Sequence, residues 1–122
     1  MVENFRHFEA GPDPFGRTWQ ADFLWLQTAI AIRHSDCIDV KFLLSHGDTH
    51  VEKVIALGHP ELLELSRKAG RPLTDAWCSR LAALHLIHIL ETGEDLEQTL
   101  VTVSAGDLEK YNRLLEGATQ TR

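Results

Sequence analysis

The sequence predicts an α+β fold, an antiparallel three-stranded β-meander over about residues 17–57 followed by three α-helices packed on one face of it. Three stretches carry that expectation. "CIDVKFLL" (37–44) sets Ile38, Val40, Phe42 and Leu44 against Asp39 and Lys41, the period-2 alternation of a half-buried strand. "GHPELLELSRKAGRP" (58–72) carries helix punctuation: Pro60 at a first helical position, Glu61 and Glu64 early, Arg67 and Lys68 late, Gly70 as the stop and Pro72 beyond it. "LTDAWCSRLAALHLIHILETG" (73–93) is apolar almost all round from Leu81 to Leu90, as a helix buried on most sides must be.

Taken in order, "GPDPFG" (11–16) holds two Pro and two Gly in six positions, so residues 1–16 are expected to be an irregular N-terminal segment. "RTWQADFLWLQTAIAIR" (17–33) alternates Trp19, Ala21, Phe23 and Trp25 on one parity with Leu24, Leu26, Ile30 and Ile32 on the other. A helical face through Trp19, Phe23, Leu26 and Ile30 also fits, but the turn residues "HSD" and the clear strand after them favour a strand. "SHGDT" is the next turn, and "HVEKVIAL" (50–57), with Val51, Val54 and Ile55, completes the meander, with a helix as the alternative. In the central helix Thr74 is the expected N-cap and Gly93 the C-cap. "EDLEQTLVTV" (94–103) suits a helix or an edge strand equally. In "SAGDLEKYNRLLEGA" (104–118) Ser104 caps with Asp107 three positions on, Leu108, Tyr111 and Leu115 share a face, and Gly117 is the expected end.

The 122 residues suit one domain spanning 1–122, with 43% hydrophobic and 25% charged residues, a composition that supports a packed core. The net charge of -6 and the lack of any Lys/Arg stripe argue against nucleic acid as a partner. No apolar run approaches the roughly 20 residues of a membrane span, and the first residues have no leader pattern, so no membrane partner and a cytoplasmic location are expected. Cys37 and Cys78 then read as reduced thiols.

Seven His make a metal site the first chemistry to test. His46, Asp48 and His50 crowd into "LSHGDTHVEK", but zinc needs three or four ligands, so this loop would have to recruit His59, Cys37 or a carboxylate. His85 and His88, three apart on a helix, either chelate or pack with a polar partner each, and packing is the expectation. Cys78 and His85 are seven helical residues apart, about 10 Å, too far for a nucleophile and its base. The acidic group Glu91, Glu94, Asp95 and Glu97 lacks the ligand spacing of a calcium loop. No phosphate loop, nucleophile elbow or HExxH motif occurs, and no cofactor is expected.

The resulting expectation is a self-associating or protein-binding domain without catalytic activity. The alternative is a small enzyme or ligand-binding protein using His46, Asp48, His50, His85 or His88, with or without a metal, in a pocket between sheet and central helix. A homodimer is expected because the 19–32 strand is apolar on both parities, so three helices on one sheet face leave Phe23 and Trp25, or Leu24 and Leu26, exposed on the other. Trp25 is the expected anchor, with that face buried or that strand paired across a two-fold axis. Because the potential ligands occur only in pairs, elemental analysis of protein purified without a His tag should find far less than one zinc per chain; about one per chain, with melting lowered by chelation, would refute this.

Overall fold

The computed structural model describes residues 5–29, 37–94 and 98–120. Its architecture is α+β, with eight elements: β1 (His7–Ala10), β2 (Trp19–Ala29), β3 (Cys37–His46), β4 (Thr49–Gly58), α1 (His59–Ala69), α2 (Asp75–Thr92), β5 (Leu100–Val103) and α3 (Ala105–Gln120). The strands form one sheet in the order β1-β2-β3-β4-β5. The first four pair antiparallel, and β5 returns parallel to β4 after the crossover through α1 and α2.

The expected meander is therefore the middle of a larger, mixed sheet. Two four-residue strands flank it. The segment 1–16, expected to be irregular, contains β1, in which Phe8 and Ala10 are buried while His7 and Glu9 face out. That alternation is too short to stand out beside the Gly and Pro that follow it. Within 94–103 the strand alternative holds for 100–103, where Val101 and Val103 face the core and Leu100 and Thr102 do not. Residues 50–57 are strand, in register with β3 from His46↔Thr49 to Cys37↔Gly58.

The helix punctuation works as its chemistry requires. Gly70 closes α1 in the left-handed region, and the Thr74 hydroxyl accepts from Trp77 N at 3.1 Å to open α2. Gly93, at φ 80°, ends α2, and a Cβ there would come within 2.6 Å of Pro14, so the 11–16 loop packs on this helix end through the missing side chain. Ser104 Oγ accepts from Asp107 N at the start of α3. That helix runs past Gly117 to Gln120, because no breaker follows the glycine and a single helical Gly costs only about 1 kcal/mol.

One core joins these elements. Ile38, Val40, Phe42 and Leu44 of β3 meet Leu81, Leu86, Ile89 and Leu90 of α2, all within one buried cluster with Leu62 of α1 and Leu108 and Tyr111 of α3. Fully burying an aliphatic side chain of this size contributes about 1.5–3 kcal/mol.

A bulge in β2 governs the rest. The pairing with β3 shifts between Phe23, opposite Phe42, and Trp25, opposite Lys41. Before the bulge Trp19, Ala21 and Phe23 face the helices; after it Leu26, opposite Val40, does so, and Trp25 is on the other side with Lys41. Phe23 and Trp25 therefore lie on opposite faces, contrary to the strict alternation expected from sequence.

The loop before β2 is organised by Asp13, a buried carboxylate. Its Oδ1 accepts from Phe15 N and Arg17 N, and its Oδ2 from Arg17 Nε and Trp19 Nε1, at 2.8–3.1 Å. Burial alone would raise its pKa, but these donors outweigh burial and hold it at about 2, against 3.8 for a free side chain. An amide cannot reproduce four accepted bonds, so Asp13→Asn should lower the melting temperature near neutral pH. Because the folded pKa is depressed, that stabilisation is complete above about 3.8 and is lost as pH falls toward about 2. Melts of wild type and variant should therefore converge across that window; a constant gap would refute the assignment.

Candidate functional site

Three places hold the chemistry the sequence offers: the β3-β4 turn, the α2-α3 contact, and the ends and open face of the sheet.

At the turn, Gly47 and Asp48 join β3 to β4 with Gly47 at φ 57°, the positive-φ requirement of a tight hairpin. The register puts His46 opposite Thr49 and His50 opposite Ser45. Successive residues point to opposite faces, so the two rings diverge instead of chelating. His46 lies against Trp19, ring centroids 5.4 Å apart, with Nδ1 3.1 Å from the Thr18 carbonyl. His59 is at the opposite end of β4 from His50, about 30 Å along a ten-residue strand. Cys37 opens β3, and its sequence neighbour His34 lies outside the described residues.

At the α2-α3 contact, His85 is buried, with Nδ1 2.7 Å from the Tyr111 hydroxyl. Its ring stacks on His88 at 6.1 Å, and His88 Nε2 lies 3.1 Å from Glu94 Oε2. Burial, and behind it the charges of Asp107 and Glu94, push the Tyr111 hydroxyl pKa up, so it keeps its proton. Nearby, Trp77 Nε1 donates to Asn112 Oδ1 at 3.2 Å, and Asn112 Nδ2 donates to Glu116. Two of these bonds, His85 to Tyr111 and Trp77 to Asn112, cross from α2 to α3. Cys78 is buried beside them, its thiol pushed up to about 11 by burial and by Asp75, so it keeps its proton at neutral pH. Asp95 and Glu97 of the acidic group lie outside the described residues. Among the described residues no group of three or more His, Cys, Asp and Glu is placed to hold a metal ion, and no helix is long and apolar enough to cross a membrane.

A cavity of about 640 Å³ does lie between sheet and central helix, but among the described residues no histidine lines it. Phe5, Phe23 and Leu26 make its apolar surface, Arg6 and Arg80 bring guanidinium groups, and Asp75 and Ser79 come from the first turns of α2. Arg6 lies over the Phe23 ring at 5.1 Å and Arg80 over Phe5 at 5.9 Å. A smaller cavity of about 180 Å³ is lined by Arg17, Trp19 and Lys53 among others. Lys53 faces the core side opposite Phe42, and its Nζ donates to the Gln98 carbonyl at 2.5 Å. Nothing in the period-2 pattern of "HVEKVIAL" signals a lysine on the buried parity, so sequence reasoning missed it.

The sheet face opposite the helices carries one row running from β2 to β5: Trp25, Lys41, Val54 and Leu100 are successive cross-strand partners. Lys41 Nζ sits 5.5 Å from the Trp25 ring centroid and 2.7 Å from Glu52. Leu100 is 56% exposed, while Trp25, Leu43 and Val54 are half-buried by their neighbours within the sheet. Asp39 lies on this face, and burial raises its pKa.

If the His85-Tyr111 contact is structural, its partners should be coupled in stability. Removing either should cost about 1–3 kcal/mol, and Tyr111→Phe with His85→Leu should cost clearly less than the sum of the singles. Urea unfolding of the four proteins measures this; strict additivity would show that the contact contributes nothing of its own.

A scan against protein-family models and searches of curated proteins and of solved structures found no match to this chain.

Proposed function

We propose that this chain is an association domain without catalytic activity, and that it pairs with a second copy of itself through the helix-free face of its sheet. The observation that carries the reading is the row Trp25, Lys41, Val54 and Leu100, which crosses four strands on that face. Five strands spaced about 4.8 Å apart and averaging about eight residues present on the order of 600 Å², near the ~800 Å² per partner of a standard interface. A two-fold axis through the row lays it on itself at the shallow angle of packed sheets, with Trp25 as the aromatic anchor. Lys41 of one copy can then meet Asp39 of the other.

The bulge supports Trp25 and removes Phe23 from this role, because the Phe23 ring packs edge-on against Phe42 at 6.2 Å on the helix side. Among the described residues no histidine lines either of the two cavities, so they lend the competing enzyme reading no converging site.

Light scattering behind a sizing column should give twice the chain mass at micromolar concentration for wild type and the single-chain mass for a folded Trp25→Glu. A monomeric wild type refutes the proposal, as does a Trp25→Glu variant that remains dimeric.

A further inference from the structure

The guanidinium of Arg17 is fixed by its neighbours and still has an open edge. Its Nε donates to Asp13 Oδ2 at 2.8 Å, and its central carbon lies over the Phe15 and Trp19 rings at 5.1 and 5.2 Å. The terminal nitrogens, Nη1 and Nη2, make no hydrogen bond or ion pair among the described residues, and the side chain is 40% exposed. Asp13 is not consumed by it alone: that carboxylate divides its two oxygens among four donors, including the main-chain amides of Phe15 and Arg17. A guanidinium held in this way presents a planar, pre-ordered N–H fork, the geometry that takes a carboxylate through two parallel bonds.

Arg17 lines the cavity of about 180 Å³ on the helix side of the sheet. Trp19, Leu44 and Leu90, each at most 5% exposed, make its apolar floor, and Val51, 38% exposed, stands at its mouth. Lys53 is a further wall residue, its Nζ held by the Gln98 carbonyl. An apolar floor beside one oriented ionic group is the composition of a small-molecule site. At roughly 30 Å³ for each water-sized group, the space holds about six non-hydrogen atoms, too few for a nucleotide or a peptide segment.

We infer that this cavity binds a small aliphatic monocarboxylate, its carboxylate on the open edge of Arg17 and its alkyl tail on Trp19, Leu44 and Leu90. The guanidinium selects an anion, and the buried floor selects an alkyl group to go with it. A dicarboxylate would bury its second charge against Leu44 and Leu90 without a partner, which excludes it. Inorganic phosphate has nothing to place on the floor. The site uses no residue of the Trp25 row, so it stands or falls independently of the dimer.

The test is a titration of the intact, nitrogen-15-labelled chain with pentanoate, followed by two-dimensional NMR. Saturable shifts are expected at Thr49, Val51 and the Trp19 indole, with a Kd on the order of 1 mM or tighter. Pentanol and acetate should each bind about tenfold more weakly or worse, since each lacks one half of the recognition. Decanoate should bind no more tightly than pentanoate, because the floor is closed. Val51→Phe, which puts a larger side chain at the mouth, should abolish the shifts, and Arg17→Lys, which keeps the charge without the fork, should weaken binding about tenfold. Arg17 also braces its loop through Asp13, so Val51→Phe decides the matter should Arg17→Lys not fold. No saturable shifts, pentanol, acetate or phosphate binding as tightly as pentanoate, affinity that keeps rising to decanoate, or binding unchanged by Val51→Phe or by a folded Arg17→Lys would each overturn the inference.

Discussion

Phe42 is the residue on which the sheet converges. It lies at the middle of the central strand, fully buried, and its ring meets Phe23 of the adjacent strand and Phe8 of the strand beyond, the latter at 5.9 Å and 75°. Edge-to-face contacts of this kind add about 0.5–1.5 kcal/mol to the burial of the rings themselves. Phe8 reaches across β2 only because its partner there is Ala21, a side chain too small to block it. The four-residue β1, which on its own ladder would be marginal, is thus held by an aromatic contact two strands away. Above the same row, α2 lays Leu81, Leu86 and Ile89 into the core, α3 packs against α2, and α1 packs against α3 and β4.

The sequence was most legible where one interaction decides local structure. The β3 alternation, the Gly70 and Gly93 stops and the Thr74 and Ser104 caps each depend on a few adjacent residues, and each is found where the spacing places it. It was least legible where a partner far along the chain decides. Residues 7–10 are strand because β2 is beside them, and 100–103 are strand because β4 accepts them; neither run is long or apolar enough to announce itself. The bulge after Phe23 is a third case. A single unpaired residue inverts the parity of everything after it, and "ADFLWLQ" contains no glycine or proline to mark the place. Among the candidate residues the same division holds. That His46 and His50 point apart follows from the pairing register, and that His85 meets Tyr111 follows from helix packing, neither of which is written locally.

The polar groups beneath the helices are few and each is matched: Lys53 to the Gln98 carbonyl, Trp77 to Asn112, His85 to Tyr111, Asp13 to four donors. A half-satisfied group in such surroundings costs more than an apolar one, so these pairs fix which helix face meets which without adding much net stability. Two of the links join α2 to α3, which among the described residues contributes Leu108, Tyr111 and Leu115 to the buried cluster.

The parallel return of β5 sets the tempo of folding. The hairpins of β2, β3 and β4 close between near neighbours, and β1 joins by a short loop, so this part of the sheet can assemble in microseconds to milliseconds. The β4-β5 ladder must wait until α1 and α2 have formed and the chain has come back alongside. That late, long-range closure carries the α3 docking with it. An antiparallel sheet under α1 and α2, with its last strand and helix undocked, is therefore the partly folded form this topology favours. In it the β4 edge from Val54 to Leu57 is open to the wrong partner.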